Sequence, residues 1–288
     1  MGGQAEDDRV PVAVRALIVV VAAILAVAGL MLTLWPGQTE ALWAWPMGPE
    51  LTSLAVGGGY LAGAILFARA AREPRWHRVA LVFPVATLLT VGLLVATLLH
   101  WEAFSHGHVS FWTWLVVYLV TPVLLPTVWL RLRSRDPGET PPGTPVVPRL
   151  VCQLIGALGA VQLSVAAVFF VRPELAIEVW PWTLSPLTAR TLASFLGFIG
   201  AMWLAFLVER RWSALQLHVE AATLGLVLVG IGALRAADDL TAGPLATTVF
   251  AVLLGGFVLV LVALQVTMRR RVDVETTAVA ARDRDLPR

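Results

Sequence analysis

The stretch VRALIVVVAAILAVAGLMLTLW, residues 14–35, decides the fold. Its one charge, Arg15, stands at its start, and residues 16–35 are apolar except for Thr33. A helix needs roughly 20 mostly apolar residues to cross about 30 Å of hydrocarbon. Seven further stretches qualify: Leu51–Ala70, Val79–Leu99, Phe111–Leu130, Leu150–Val171, Leu187–Val208, Ala214–Leu234 and Leu245–Met268. None alternates with period two, and each is about twice the length of a barrel strand. In lipid every backbone polar group must be satisfied within the segment, so the sequence predicts a closed bundle of eight helices. Ala26-Val27-Ala28 imitates a signal-peptide cleavage site, but the span is long for a signal and an internal repeat of the chain requires it.

Composition agrees. Of 288 residues, 58% are apolar and 14% charged, with a mean hydropathy of +0.79. A soluble domain has about 45–50% apolar and about 25% charged residues. This excludes a soluble enzyme, a disordered chain and a nucleic-acid-binding domain. The formal net charge is +2, and all 21 basic residues are arginine. That bias fits a GC-rich genome; bidentate anion contacts are the functional alternative. Cys152, the single cysteine, reads as a small buried hydrophobe.

Arginine sets the orientation. Arg9 and Arg15 precede the first span; Arg69, Arg72, Arg75 and Arg78 follow the second. Arg131, Arg133, Arg135 and Arg149 follow the fourth, Arg210 and Arg211 the sixth, and six more close the chain. The alternate connections hold only Arg172 and Arg235. Both termini are therefore expected in the cytoplasm. Trp35, Trp43, Trp45, Trp101, Trp112, Trp114, Trp180 and Trp182 gather at the outer ends, as an interfacial belt does.

The two halves of the sequence match. At a spacing of 137, Pro36 falls on Pro173, Trp43 on Trp180, Trp45 on Trp182 and Pro49 on Pro186. At 136, Arg75-Trp76 falls on Arg211-Trp212. Each half holds an even number of spans, so the expected repeats are parallel, related by an axis along the membrane normal. The organisation is an N-terminal tail (1–13), a four-helix repeat (14–133), a Pro/Gly-rich cytoplasmic linker (134–149), a second repeat (150–268) and a charged tail (269–288). Both tails read as disordered. Pro84, Pro122 and Pro126 are candidate kinks, and the glycines of spans two, six and seven are candidate close-packing faces.

Three polar constellations remain. In the outer loop Val179–Arg190, Ser185 or Thr183 is placed to cap the next helix with Pro186 in its first turn. Arg190 then lies about a turn inside, expected to pair with Glu178, Asp238 or Asp239, or to hold an anion or lipid headgroup; Trp180 and Trp182 flank it. The second is His100, Glu102, His106 and His108, which read as a polar loop or as outer metal ligands, imidazole suiting Zn, Cu or Ni. The third is His218 and Glu220, inside span seven near its cytoplasmic end. Glu220 is either paired near the interface, with His218, Arg211 or Gln216 in reach, or a proton- or cation-coupling residue. His218 is the only histidine well inside a span, so a bis-His haem is not expected. No Ser-His-Asp arrangement, carboxylate pair or nucleotide loop stands out.

The segment Trp180–Arg190 and the run His100-Trp101-Glu102, Phe104, Gly107-His108, Phe111-Trp112 resemble uncharacterised multi-pass membrane proteins of actinobacteria and other GC-rich bacteria. The resemblance implies a bacterial inner-membrane location and carries no activity. The expected function is non-enzymatic: transport of a small solute or lipid, or a scaffold role, with a site at the outer junction of the halves. The alternatives are a membrane enzyme or redox subunit with a metal on the His-rich loop, and a structural subunit of a larger complex. No cofactor is expected beyond that loop metal. The expected partners are the bilayer, a second copy or other membrane subunits, and no nucleic acid.

Overall fold

The computed structural model describes residues 8–140 and 144–284. Among them there is no strand, and the chain is all-helical: α1 (Val12–Leu34), α2 (Thr39–Leu42), α3 (Glu50–Ala70), α4 (Val82–Leu99), α5 (Val109–Leu132), α6 (Arg149–Val171), α7 (Pro173–Val179), α8 (Pro186–Leu204), α9 (Trp212–Arg235) and α10 (Pro244–Arg284). Eight are long and apolar enough to cross a membrane; α2 and α7 are short turns in matching connections. This is the architecture of a multi-pass membrane protein.

The bundle is organised by two inner pairs. α3 packs on α9 and α4 on α8, while α1 lies on α3, α6 on α8, α5 on α4 and α10 on α9. α3 and α8 are therefore the most enclosed spans, and α6 and α10 are among the most exposed to the surroundings. Small residues allow the close approaches. A Cβ on Gly200 would stand 2.8 Å from the Leu163 backbone nitrogen and one on Gly159 2.8 Å from the Gly200 carbonyl oxygen, so α6 and α8 meet backbone to backbone. In α3, Gly57 faces α1, Gly58 faces α9 and Gly59 faces α8, which explains a helix with no apolar stripe.

The connections fall at two ends. One end gathers the tryptophan-bearing loops and the other the arginine-bearing ones. At the arginine-rich end Val10 N–H donates to the Pro74 carbonyl (3.0 Å) and Trp76 N–H to the Asp8 carbonyl (3.0 Å). In the second half Val147 N–H donates to the Arg210 carbonyl (2.9 Å) and Trp212 N–H to the Pro145 carbonyl (3.1 Å). Each clamp ties the strand-like segment before a half's first helix to the connection before its third. Asp8–Pro11 is thus pinned where a disordered tail is expected, residues 1–7 lying outside the described chain. Likewise α10 runs on as helix to Arg284 instead of ending at the membrane surface.

The prolines behave differently from one another. Pro84 sits in the first turn of α4, where its missing N–H costs nothing. Pro122 and Pro126 lie inside α5, which continues through both as one helix. Ser185 caps α8, its Oγ accepting from Thr188 N–H at 3.2 Å, with Pro186 as the first helical residue.

Candidate functional site: an apolar cavity at the junction

Where the inner pairs meet α1 and α5, the bundle carries an apolar cavity that is partly open to the surroundings, its lining including the exposed Val20 of α1 and Val116 and Val120 of α5. It measures about 460 Å³ and is lined from α1, α3, α4, α5, α8, α9 and α10. Its lining includes the small residues Ala55, Gly59, Ala62 and Gly63 of α3 and Ala221, Ala222 and Gly225 of α9, which pack closely on their neighbours: a Cβ on Gly59 would meet Phe195 of α8 at 3.0 Å and one on Gly225 would meet Ala62 at 3.3 Å. Phe195, Leu196 and Leu89 complete an almost wholly apolar wall. Its main polar feature is the Tyr60–Tyr118 pair, whose buried hydroxyls share one hydrogen bond at 2.9 Å. Apolar cavities of this kind stay dry and take up apolar guests.

The tryptophan-rich end holds the residues the sequence singled out, but not in the expected pairing. Arg190 does not reach Glu178, Asp238 or Asp239. Its Nε donates to the Phe170 carbonyl (3.0 Å) and its guanidinium meets His100 Nε2 at 2.8 Å, linking α8 to the end of α4. Burial and the neighbouring Arg190 charge both hold the His100 pKa below the usual imidazole range. Asp239 Oδ2 accepts from Leu51 N–H at 2.8 Å, so this acid caps α3 from the other half of the chain. Trp182 Nε1–H donates to Thr52 Oγ1 (2.9 Å) one residue further on. Glu178 and Asp238 are exposed and make no hydrogen bond or ion pair, and Trp180 is half-buried with an unpartnered indole N–H. Trp182 and Asp239 thus meet adjacent residues of α3, with Trp180 against Trp182 at 5.4 Å, while Arg190 bonds to α4 and α6 residues instead.

The His-rich loop is also dispersed. His100 is taken by Arg190. His108 Nδ1 meets the Trp43 carbonyl at 3.0 Å, and His106 lies between the rings of Trp101 and Phe111. Glu102 is exposed. Among the described residues no three His, Cys, Asp or Glu side chains are grouped so that they could hold a metal ion.

At the arginine-rich end Glu220 is tied on three sides. It pairs with Arg69 of α3, with Arg269 of α10 (3.3 Å) and with Gln216 Nε2 (3.0 Å). His218, its expected neighbour, is instead fully buried, beside the Ala214 and Leu81 backbone. Arg211 bonds Asp136 (2.6 Å) and Glu209; burial opposes ionisation of Asp136, but the Arg211 and Gly138 hydrogen bonds outweigh it and lower its pKa.

One arrangement here escaped the sequence altogether. Asp8 Oδ2 meets His77 Nδ1 at 2.6 Å, and His77 Nε2 lies 3.4 Å from Ser213 Oγ. The order is that of a catalytic triad, but His77 is only 2% exposed and Asp8 also accepts from the His77 backbone N–H (3.0 Å), which makes it a structural tie.

Comparison of the chain with protein-family models, with curated proteins and with solved structures finds no match.

Proposed function

We propose that the chain is a non-enzymatic protein of a bacterial cytoplasmic membrane that binds, and by that route carries, a lipid-like molecule between its two halves. The observation that carries this reading is the apolar cavity of about 460 Å³ at the meeting of α3, α4, α8 and α9. Its size lies within the range of about 300–1,000 Å³ typical of small-molecule sites. Its wall selects for an apolar guest, and the bilayer around it is the source of one. Both termini are read as cytoplasmic from the arginine-bearing connections.

The halves are proposed to be parallel repeats about an axis through the cavity. The backbone clamps support this: Val10/Pro74 and Val147/Arg210 are equivalent pairs at the spacings of 137 and 136. So do the aromatic contacts, Trp45–Trp114 at 4.8 Å and its equivalent Trp182–Phe250 at 5.6 Å. His77 and Ser213 are equivalents that touch each other, which residues do only beside a twofold axis.

The test is native mass spectrometry of protein extracted from its own membrane. Wild type is expected to retain a lipid-mass adduct. Leu89→Trp with Leu196→Trp, filling the cavity from α4 and α8, is expected to lower its occupancy about tenfold, equivalent to about 1.4 kcal/mol. Leu88→Trp, on the exposed face of α4, is the control. Equal adducts in all three would remove the cavity from consideration.

A further inference from the structure

The central cavity reaches the surroundings on one side. Of its described lining residues, Val20 of α1 and Val116 and Val120 of α5 are exposed (55%, 58% and 49%), and the others are buried or half-buried. α1 packs on α3 and α5 on α4, and a cleft runs between α1 and α5. Among the described residues the second half has no such mouth. In the proposed repeat register Ala157, Val252 and Gly256, on α6 and α10, stand at the positions of Val20, Val116 and Val120. All three are exposed, but none lines the cavity, and α6 supplies none of its described lining.

The mouth lies inside the hydrocarbon. At 1.5 Å per residue Val20 is about 12 Å into α1 from Val12, and Val120 about 18 Å into α5 from Leu132. Both depths fall near the middle of a hydrocarbon layer of about 30 Å. The cavity itself extends along the helices, from Ala55 to Phe67 of α3 over about 18 Å. No Asp, Glu, Arg or His is among its described lining residues. An unpaired ion is costly both at that depth and against that wall. A phosphate, carboxylate or ammonium head therefore stays outside, and a phospholipid offers the mouth no more than a chain end. An uncharged lipid meets neither barrier, because it lies within the hydrocarbon at the height of the mouth and passes in whole.

We infer that the guest is an uncharged lipid and that it enters the central cavity whole and sideways, from the middle of the bilayer, between α1 and α5. This rests on the reading of the cavity as a lipid-like site, and adds the class of the guest and its route.

The experiment uses the full chain in phosphatidylethanolamine/phosphatidylglycerol vesicles. The probes are dodecyl acetate carrying a diazirine on its chain and a phosphatidylcholine with the same diazirine on an acyl chain. Labelled peptides of α8 are mapped by mass spectrometry, with and without excess unlabelled dodecyl acetate. In a Cys152→Ala background, Val20→Cys with Val120→Cys is bridged by bis-methanethiosulfonates of graded length, which reductant releases. Ala157→Cys with Gly256→Cys, bridged in the same way, is the control on the other half. Dodecyl acetate is expected to label α8 and to be competed, and the phosphatidylcholine to label it at least tenfold less. Closing the α1–α5 bridge before the probe is added is expected to cut that labelling at least tenfold. Closing it afterwards is expected to retain the probe against competitor, and reductant to reverse both effects. The α6–α10 bridge is expected to change neither. Val116→Trp in the otherwise native chain blocks the mouth without cysteines. It is expected to lower α8 labelling about threefold, with Val252→Trp, its equivalent, leaving labelling unchanged. Failure of every length to bridge Val20 and Val120, competed labelling that the closed bridge leaves intact, or equal labelling in the two tryptophan variants overturns the route and leaves the cavity reading standing. Competed labelling by the phosphatidylcholine equal to that by the acetate overturns the class. Absence of competed α8 labelling by either probe in the unmodified chain overturns the cavity reading and the inference together.

Discussion

The two halves of this chain share a scaffold and differ in what they do with polarity. Each opens with the same backbone clamp, places a short helix and a Trp-Pro-rich loop after its first span, and contributes its second and third spans to the centre. In the proposed repeat register Ser53 stands opposite Arg190, Pro84 opposite Glu220, Tyr60 opposite Gly197, Tyr118 opposite Leu254 and Ser110 opposite Ala246. The second half spends its polar residues on ties: Arg190 to His100, Glu220 to Arg69 and Arg269, Asp239 to the start of α3. The first half has ties too, Asp8 to His77 and Arg15 to the Ala71 carbonyl, but it alone places a polar pair, Tyr60–Tyr118, on the cavity lining. The difference teaches that two similarly built halves keep the same helix packing while their polar residues diverge.

The sharpest way to break that comparison is Arg211→Gln against Arg75→Gln, since these are equivalent positions. Arg211 is 8% exposed and serves two carboxylates, whereas Arg75 is exposed and contributes only its backbone. Removing one partner of a buried pair costs about 3–5 kcal/mol; with Asp136 partly open to solvent, roughly 2–3 kcal/mol is expected for Arg211→Gln and under about 0.5 kcal/mol for Arg75→Gln. Thermal melting in one detergent compares them. The pH dependence carries the same contrast. Asp136 has a lowered folded pKa, so its contribution is complete above the unfolded value of about 3.9 and is lost as pH falls through the folded one. Asp136→Asn is expected to flatten that acid limb.

Gly200→Ala against Gly63→Ala comes next. A Cβ at 200 meets backbone at 2.8 Å, but at 63 only the Leu25 side-chain end at 3.2 Å. Overpacking against backbone costs about 1–3 kcal/mol. The second half is expected to show that loss and the first to show under about 1 kcal/mol.

Glu220→Gln separates brace from coupling residue. Its arginine partners are largely exposed, so a loss of about 1 kcal/mol in stability is expected, with lipid occupancy unchanged. A change in occupancy with unchanged stability would restore the coupling role.

The smallest effect concerns His100. Its folded pKa lies below its unfolded value of about 6.5, so the unfolded chain binds the proton first and stability declines as pH drops below about 6.5. His100→Gln is expected to remove a shallow part of that decline, of roughly a few tenths of a kcal/mol, readable as a change in melting temperature between neutral and mildly acidic buffer.

Much of this fold is legible in the chain because lipid imposes simple rules. Apolar length marks the eight spans, and Ser185-Pro186 marks the start of α8. The illegible part is long-range. Arg190 finds His100 across ninety positions, and His77 finds Ser213 across 136, and no spacing rule encodes either. The nearest acids to Arg190 by charge and position, Glu178 and Asp238, stay apart from it, because a neutral imidazole and a free carbonyl satisfy the guanidinium instead. The cavity is invisible for a related reason. Its lining is drawn from seven helices, α1, α3, α4, α5, α8, α9 and α10, and which faces of those helices meet is not written in any one stretch of sequence.

The most direct measurement is an electron cryo-microscopy map of the chain in nanodiscs made from its native lipid. Elongated non-protein density is expected between α3, α4, α8 and α9, beside the Tyr60–Tyr118 pair. A map in which α3 and α9 close on each other and Phe195 fills the space, with no density between them, would contradict a lipid-binding cavity.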